Sequence, residues 1–142
     1  MKKTVFITVL LLFSALLLAQ TDISGLALGM PISAARDSLT AWGSVPSTTN
    51  ANVFYGDMYG YQAEIILNAD EDDNLIHWLY TIYTEDDWEW EDWFVYGVCD
   101  FHNDPGLDVD LESGYVIYLS SEIALHIYYN DIYDLVLDYR GH

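Results

Sequence analysis

Three tryptophans stand among acids in the segment Trp88-Glu89-Trp90-Glu91-Asp92-Trp93, and that mixture has two chemical readings. Indole rings can stack on sugar faces while carboxylates take the hydroxyls, which would make a carbohydrate platform. On a helix, Trp90 and Trp93 instead fall to one side and serve as core, leaving Trp88 near the surface. The densest acidic run, Asp70-Glu71-Asp72-Asp73-Asn74, places Asp70, Asp72 and Asn74 at the first three spacings of a calcium loop. Leu75 and Thr81 then stand where that loop requires Gly and Glu, so the run reads as a solvated hairpin tip built of ordinary turn residues. Asp108, Asp110 and Glu112 form a second alternating acidic set. On a strand they would share one face, where a cation would ease their repulsion. Any calcium binding at these sites is expected to be weak.

The remaining chemistry-bearing residues make no recognisable constellation. His77, His102, His126 and His142 lack H-E-x-x-H or any other metal-ligand spacing, and His77 and His126 fall in predicted strands. No G-x-S-x-G, Walker or dinucleotide fingerprint occurs. The single cysteine, Cys99, ends the apolar run Phe94-Val95-Tyr96-Gly97-Val98-Cys99, which predicts a buried, inert thiol and excludes an internal disulfide. With 23 acidic residues, any chosen pair of carboxylates is uninformative about a hydrolytic site. No residue is therefore assigned a catalytic, cofactor-binding or metal-ligating role, and no cofactor is expected.

Beyond Lys3 the only cations are Arg36 and Arg140. Such a surface repels nucleic acid and anionic headgroups and attracts cations and basic partners. It also leaves little with which to stabilise an anionic transition state, which argues against phosphoryl transfer.

Met1-Lys2-Lys3 followed by the apolar stretch Val5 to Leu18 and by Ala19-Gln20 has the layout of a secretory signal peptide, residues 1–19. The run falls short of the roughly 20 apolar residues that span a bilayer, so no membrane span is expected in the mature chain. Residues 20–142 are the length of one domain, and their aromatic content predicts a well-folded core in spite of the acidity.

Two helices are predicted. Pro31 to Trp42 carries an apolar stripe at Ile32, Ala35, Leu39 and Trp42, Ser33 or Asp37 serves its N-terminal donors, and Gly43 and Pro46 end it. Glu85 to Phe101 enters after Thr84 as cap residue, with Trp90, Trp93, Phe94, Gly97 and Phe101 near one face and Glu89, Glu91 and Asp92 outside it. Six strands are read at Asn52 to Tyr55, Tyr59 to Asn68, Leu75 to Tyr83, Gly114 to Ser120, Glu122 to Tyr129 and Ile132 to Tyr139. A Gly56-Asp57 turn follows the first. The expected class is α+β: an antiparallel sheet of about five to six strands with two helices packed on it.

The segment Ile23-Ser24-Gly25-Leu26-Ala27-Leu28-Gly29-Met30, the helix ending at Leu39 and Gly43, and the hairpin Glu64-Ile65-Ile66-Leu67 … Asp73-Asn74-Leu75-Ile76 resemble a known module. It is the opening of small exported α+β domains of the SmpA/OmlA and β-lactamase-inhibitor-protein type. The resemblance covers Ile23 to Ile76, about half the mature chain, and implies protein–protein contact in the cell envelope without catalysis. The chain lacks the lipid-bearing cysteine of the former and the disulfides of the latter, so no specific partner is carried over.

The leading expectation is thus an exported, periplasmic or extracellular, non-catalytic module that binds another protein, a basic partner being favoured, with no nucleic-acid partner and no membrane span in the mature chain. The alternative is a secreted protein that binds calcium or carbohydrate, and the third a small carboxylate hydrolase.

Overall fold

The structure, a computed structural model, describes residues 21–141; the expected signal peptide lies outside them. Alternating apolar residues build one antiparallel sheet from β1 (Val45–Pro46), β2 (Val53–Met58), β3 (Tyr61–Ala69), β4 (Leu75–Ile82), β5 (Tyr115–Tyr118), β6 (Ile123–Tyr129) and β7 (Leu135–Gly141). The spatial order is β1-β2-β3-β4-β7-β6-β5. Two meanders therefore meet where β4 pairs with β7.

The register puts one apolar set on a single face. Ala63, Ile65 and Leu67 of β3 lie opposite Ile82, Tyr80 and Trp78 of β4, which in turn oppose Leu135, Leu137 and Tyr139 of β7. Phe54, Leu125 and Ile127 extend the same layer, and all of these side chains are buried. Trp78 and Tyr139 stack at 5.0 Å with their planes 5° apart. Helices α1 (Ile32–Ala41) and α2 (Trp88–Phe101) add Ile32, Ala35, Leu39, Phe94, Val95 and Val98 to this one core. Among the described residues, the opposite face carries no helix. It bears Tyr55, Ile66, Leu79, Val136 and Tyr128, with Asp138 accepting from His77 at 2.8 Å and from Arg140.

The expected five to six strands become seven. The added one, β1, is two residues long and pairs Val45 with Tyr55 and Pro46 with Phe54; Pro46 signals a helix stop and sits at the sheet edge, where a missing N–H is tolerated. Sheet, not helix, dominates the described residues. The predicted Gly56-Asp57 turn is instead the interior of β2, and the chain reverses at Tyr59-Gly60, where both residues have positive φ. The last strand starts at Leu135 because Asn130 to Asp134 forms a loop in which the Asn130 side chain accepts from the N–H groups of Ile132 and Asp134.

The helix ends follow distinct chemistry. At the C-terminus of α1, Gly43 at φ 98° lets its N–H reach Thr40 and that of Ser44 reach Leu39, the paired bonds of a Schellman cap. Its N-terminus has no side-chain cap, so Ser33 and Asp37 do not serve there. The cap of α2 is Asp87, which accepts from the N–H of Trp90 at 3.2 Å and from the Tyr61 hydroxyl. Thr84, the expected cap, is buried and donates to Glu91 instead.

Candidate functional site

Helix α2 is apolar on nearly every side, and the sheet can cover only part of it. Phe94, Val95, Val98 and Cys99 are buried, whereas Trp88, Trp93, Tyr96 and Phe101 are between 47% and 61% exposed. A single helix thus presents four large aromatics outward, which makes it a ridge. Trp93 and Phe101 were expected on the core side and are not; Trp88 is exposed as expected.

The ridge is held rigidly. Trp90 stacks on Phe94 at 4.8 Å, sits 4.7 Å from Tyr61, and donates from its indole N–H to the Tyr59 carbonyl at 3.3 Å. Tyr59 meets Trp93 edge to face at 6.0 Å. On the other side Glu91, expected outside the apolar face, is buried and accepts from Thr84 and from the Tyr129 hydroxyl at 2.5 Å. A carboxylate there is also favoured by the N-terminal dipole of α2.

A hollow lies on each flank. The first, about 270 Å³, is formed by Ile23, Tyr59, Trp93, Phe94, Gly97 and Phe101 with Val98 at its base. It is mostly apolar. The second, about 330 Å³, lies between Trp88, Asp92 and Tyr96 on α2 and Asp110, Leu111, Glu112 and Tyr129. Trp88 stands edge to face with Tyr129 at 5.7 Å there.

The acidic groups singled out by sequence serve their own turns. Asp70 accepts from the N–H groups of Asp72 and Asn74 at 3.0 and 2.9 Å. Asp108, Asp110 and Glu112 lie in turns and do not share a strand face; Asp110 accepts from Glu112 N–H and from the Ser113 hydroxyl, which holds its carboxyl below the usual range. Among the described residues, no three His, Cys, Asp or Glu side chains are grouped to hold a metal ion.

Cys99 is buried, and burial beside Asp104 pushes its thiol up to about 11, so it is a poor nucleophile. His102, 3.1 Å from the Tyr139 hydroxyl, is pushed down to about 4 by burial. His77 bridges Asn68 and Asp138 on the open face.

Sequence pattern missed a third buried acid. Asp22 accepts from Leu26 N–H at 2.8 Å, the Trp78 indole at 2.7 Å, Ser24 and the Tyr80 hydroxyl. Burial raises its pKa against these bonds, and burial together with Asp22 holds the Tyr80 phenol well above its ordinary value. Its position beside Gly25 and a positive-φ turn was the available signal, since Asp accepts readily from N–H groups two to four residues on. The network is enclosed and ties the chain's first described turn to the sheet.

No protein-family model, curated protein or solved structure matches the chain.

Proposed function

We propose that the protein is an exported, non-catalytic interaction module whose α2 ridge binds another protein. One observation carries this reading: four aromatics of one helix point into solvent beside an apolar hollow, in a chain whose charge repels anionic surfaces. Contiguous exposed apolar surface of this kind marks an interaction site, and aromatic side chains are the commonest anchors of protein interfaces. The resemblance of Ile23 to Ile76 to exported protein-binding modules points the same way. The test is affinity capture from the exported fraction of the source with the wild-type chain and with Trp93→Ala/Phe101→Ala. A partner retained by wild type, lost by the double variant and released as salt rises supports the reading; a partner held equally by both proteins sinks it.

A second reading rests on the trough at Trp88. An exposed indole beside the carboxylates of Asp92 and Glu112 is suited to stacking on a sugar ring and accepting from its hydroxyls. Titration with soluble oligosaccharides should then produce heat that Trp88→Ala abolishes; identical traces for the two proteins would dismiss it. Calcium belongs in the same titration as a comparison ligand.

A further inference from the structure

We propose that the gap at Gly97 is a socket for one apolar side chain of a basic, amphipathic partner segment. This rests on the ridge being a protein-binding site and adds the partner's chemistry. Glycine in the interior of a helix is unfavourable by about 1 kcal/mol against alanine, so a helical glycine needs a reason. Gly97 lies four residues before the C-terminal bound of α2, and its φ is not in the left-handed region. Nor does packing among the described residues require it, because a Cβ built there meets none of their atoms within 4 Å. Neither backbone conformation nor close approach accounts for the missing side chain. An occupant from outside the chain does.

The surroundings suit such an occupant. Trp93, Gly97 and Phe101 follow one another at four-residue steps along one face of α2, so the rings bracket the gap over roughly 12 Å of axis. The buried Phe94 and Val98, with Tyr59 and Ile23, complete its lining. The 270 Å³ volume lies below the roughly 300–1,000 Å³ of small-molecule sites and suits an inserted side chain. The rim is acidic: Glu89 precedes Trp93 by one turn, Asp100 follows Gly97 by one turn, and Asp57 on β2 accepts from the Gly60 N–H of the turn that carries Tyr59; all three are exposed.

No lysine or arginine lies on α2 or on that turn. Arg36 is bonded to Asn52, and Arg140 to Asp138. A second copy of this chain would bring acids against acids. A helix with an apolar stripe and flanking arginines or lysines matches both features, inserting one aliphatic side chain while its cations meet the rim carboxylates and ring faces.

The test uses two synthetic amphipathic peptides, alike in their leucine stripe, with arginines on the polar face of one and glutamates on that of the other. Each is titrated by tryptophan fluorescence into the wild-type chain, Gly97→Leu and Trp93→Ala. Gly97→Leu fills the socket without strain and should melt no lower than wild type, which separates loss of binding from loss of fold. The arginine peptide should bind wild type at least tenfold more tightly than Gly97→Leu, and the glutamate peptide should not bind. Equal affinity of the arginine peptide for wild type and Gly97→Leu, equal affinity of the two peptides for wild type, or no binding by either overturns the proposal. Capture of the natural partner keeps the two readings apart. If Trp93→Ala abolishes capture and Gly97→Leu does not, the ridge stands and the socket falls; if Trp93→Ala leaves capture intact, the ridge itself is lost.

Discussion

The Tyr129 hydroxyl on β6 donates to the Glu91 carboxylate on α2 at 2.5 Å, across 38 residues of sequence. That bond sets the first turn of the ridge against the sheet, with Thr84 supplying the second donor to the same buried group. Removing one donor leaves a buried carboxylate half-satisfied, which costs about 1–3 kcal/mol. Tyr129→Phe should therefore lower the urea midpoint with little change in slope. Tyr133→Phe, at an exposed neighbour, should leave it unchanged. Equal effects of the two substitutions would remove the bond from the account.

Ser44 and Gly56 form a second coupled pair. The Ser44 hydroxyl is buried without a partner among the described residues, and a Cβ on Gly56 would fall 2.6 Å from it. Gly56→Ala should destabilise the wild type. In a Ser44→Ala background the same change meets a methyl carbon at 3.4 Å and should cost less, with a coupling of about 1 kcal/mol. Ser44→Ala alone should be neutral or stabilising, since it removes an orphaned hydroxyl. Strict additivity in thermal unfolding of the four proteins would contradict this.

Asp22 joins the first described turn to β4 through acceptors on both carboxylate oxygens. Asp22→Asn keeps the shape but turns an amide N–H₂ toward donors. A loss of about 2 kcal/mol is expected from the broken bonds, with early loss of amide protection at Leu26. Hydrogen exchange measures both; unchanged protection there would show that the turn is held by other contacts.

His102 gives the fold an acid-side dependence of definite sign. Its folded pKa, about 4, lies below the ordinary 6.5, so the neutral ring is the one accommodated. The stability it contributes is complete above pH 6.5 and is lost as pH falls from there toward 4. Asp22 acts oppositely: its raised folded pKa contributes stability that is lost as pH rises above 3.8. The difference between wild type and His102→Gln isolates the histidine. Urea midpoints of the two proteins should converge between pH 6.5 and 4; parallel curves would refute the assignment.

The parts of the fold written in short-range pattern were readable. Alternation at Tyr61 to Leu67 and at Ile76 to Ile82 predicted the central hairpin, and Gly43 predicted the end of α1. What resisted was of two kinds. Helix α2 is apolar all round, so no period distinguishes Phe94 and Val98, which are buried, from Trp93 and Phe101, which are not. The buried acids Glu91 and Asp138 take partners from distant strands, and nothing local sets them apart from the many acids in solvent. The site was therefore half visible: Trp88 at the surface was predicted, but the outward ridge and the gap at Gly97 required tertiary packing to appear.

The meeting of the two meanders at β4 and β7 has a kinetic consequence. Each meander is built from neighbours in sequence, while the seam Ile82↔Leu135 to His77↔Arg140 joins segments more than fifty residues apart. Loop closure over that span is the slow, entropically costly event. Until β7 docks, β4 stands as an unpaired edge at what becomes the centre of the sheet, with Trp78 and Tyr80 partly uncovered. The protein's vulnerability to aggregation thus belongs to an interval on its folding path, before its final strand is in place.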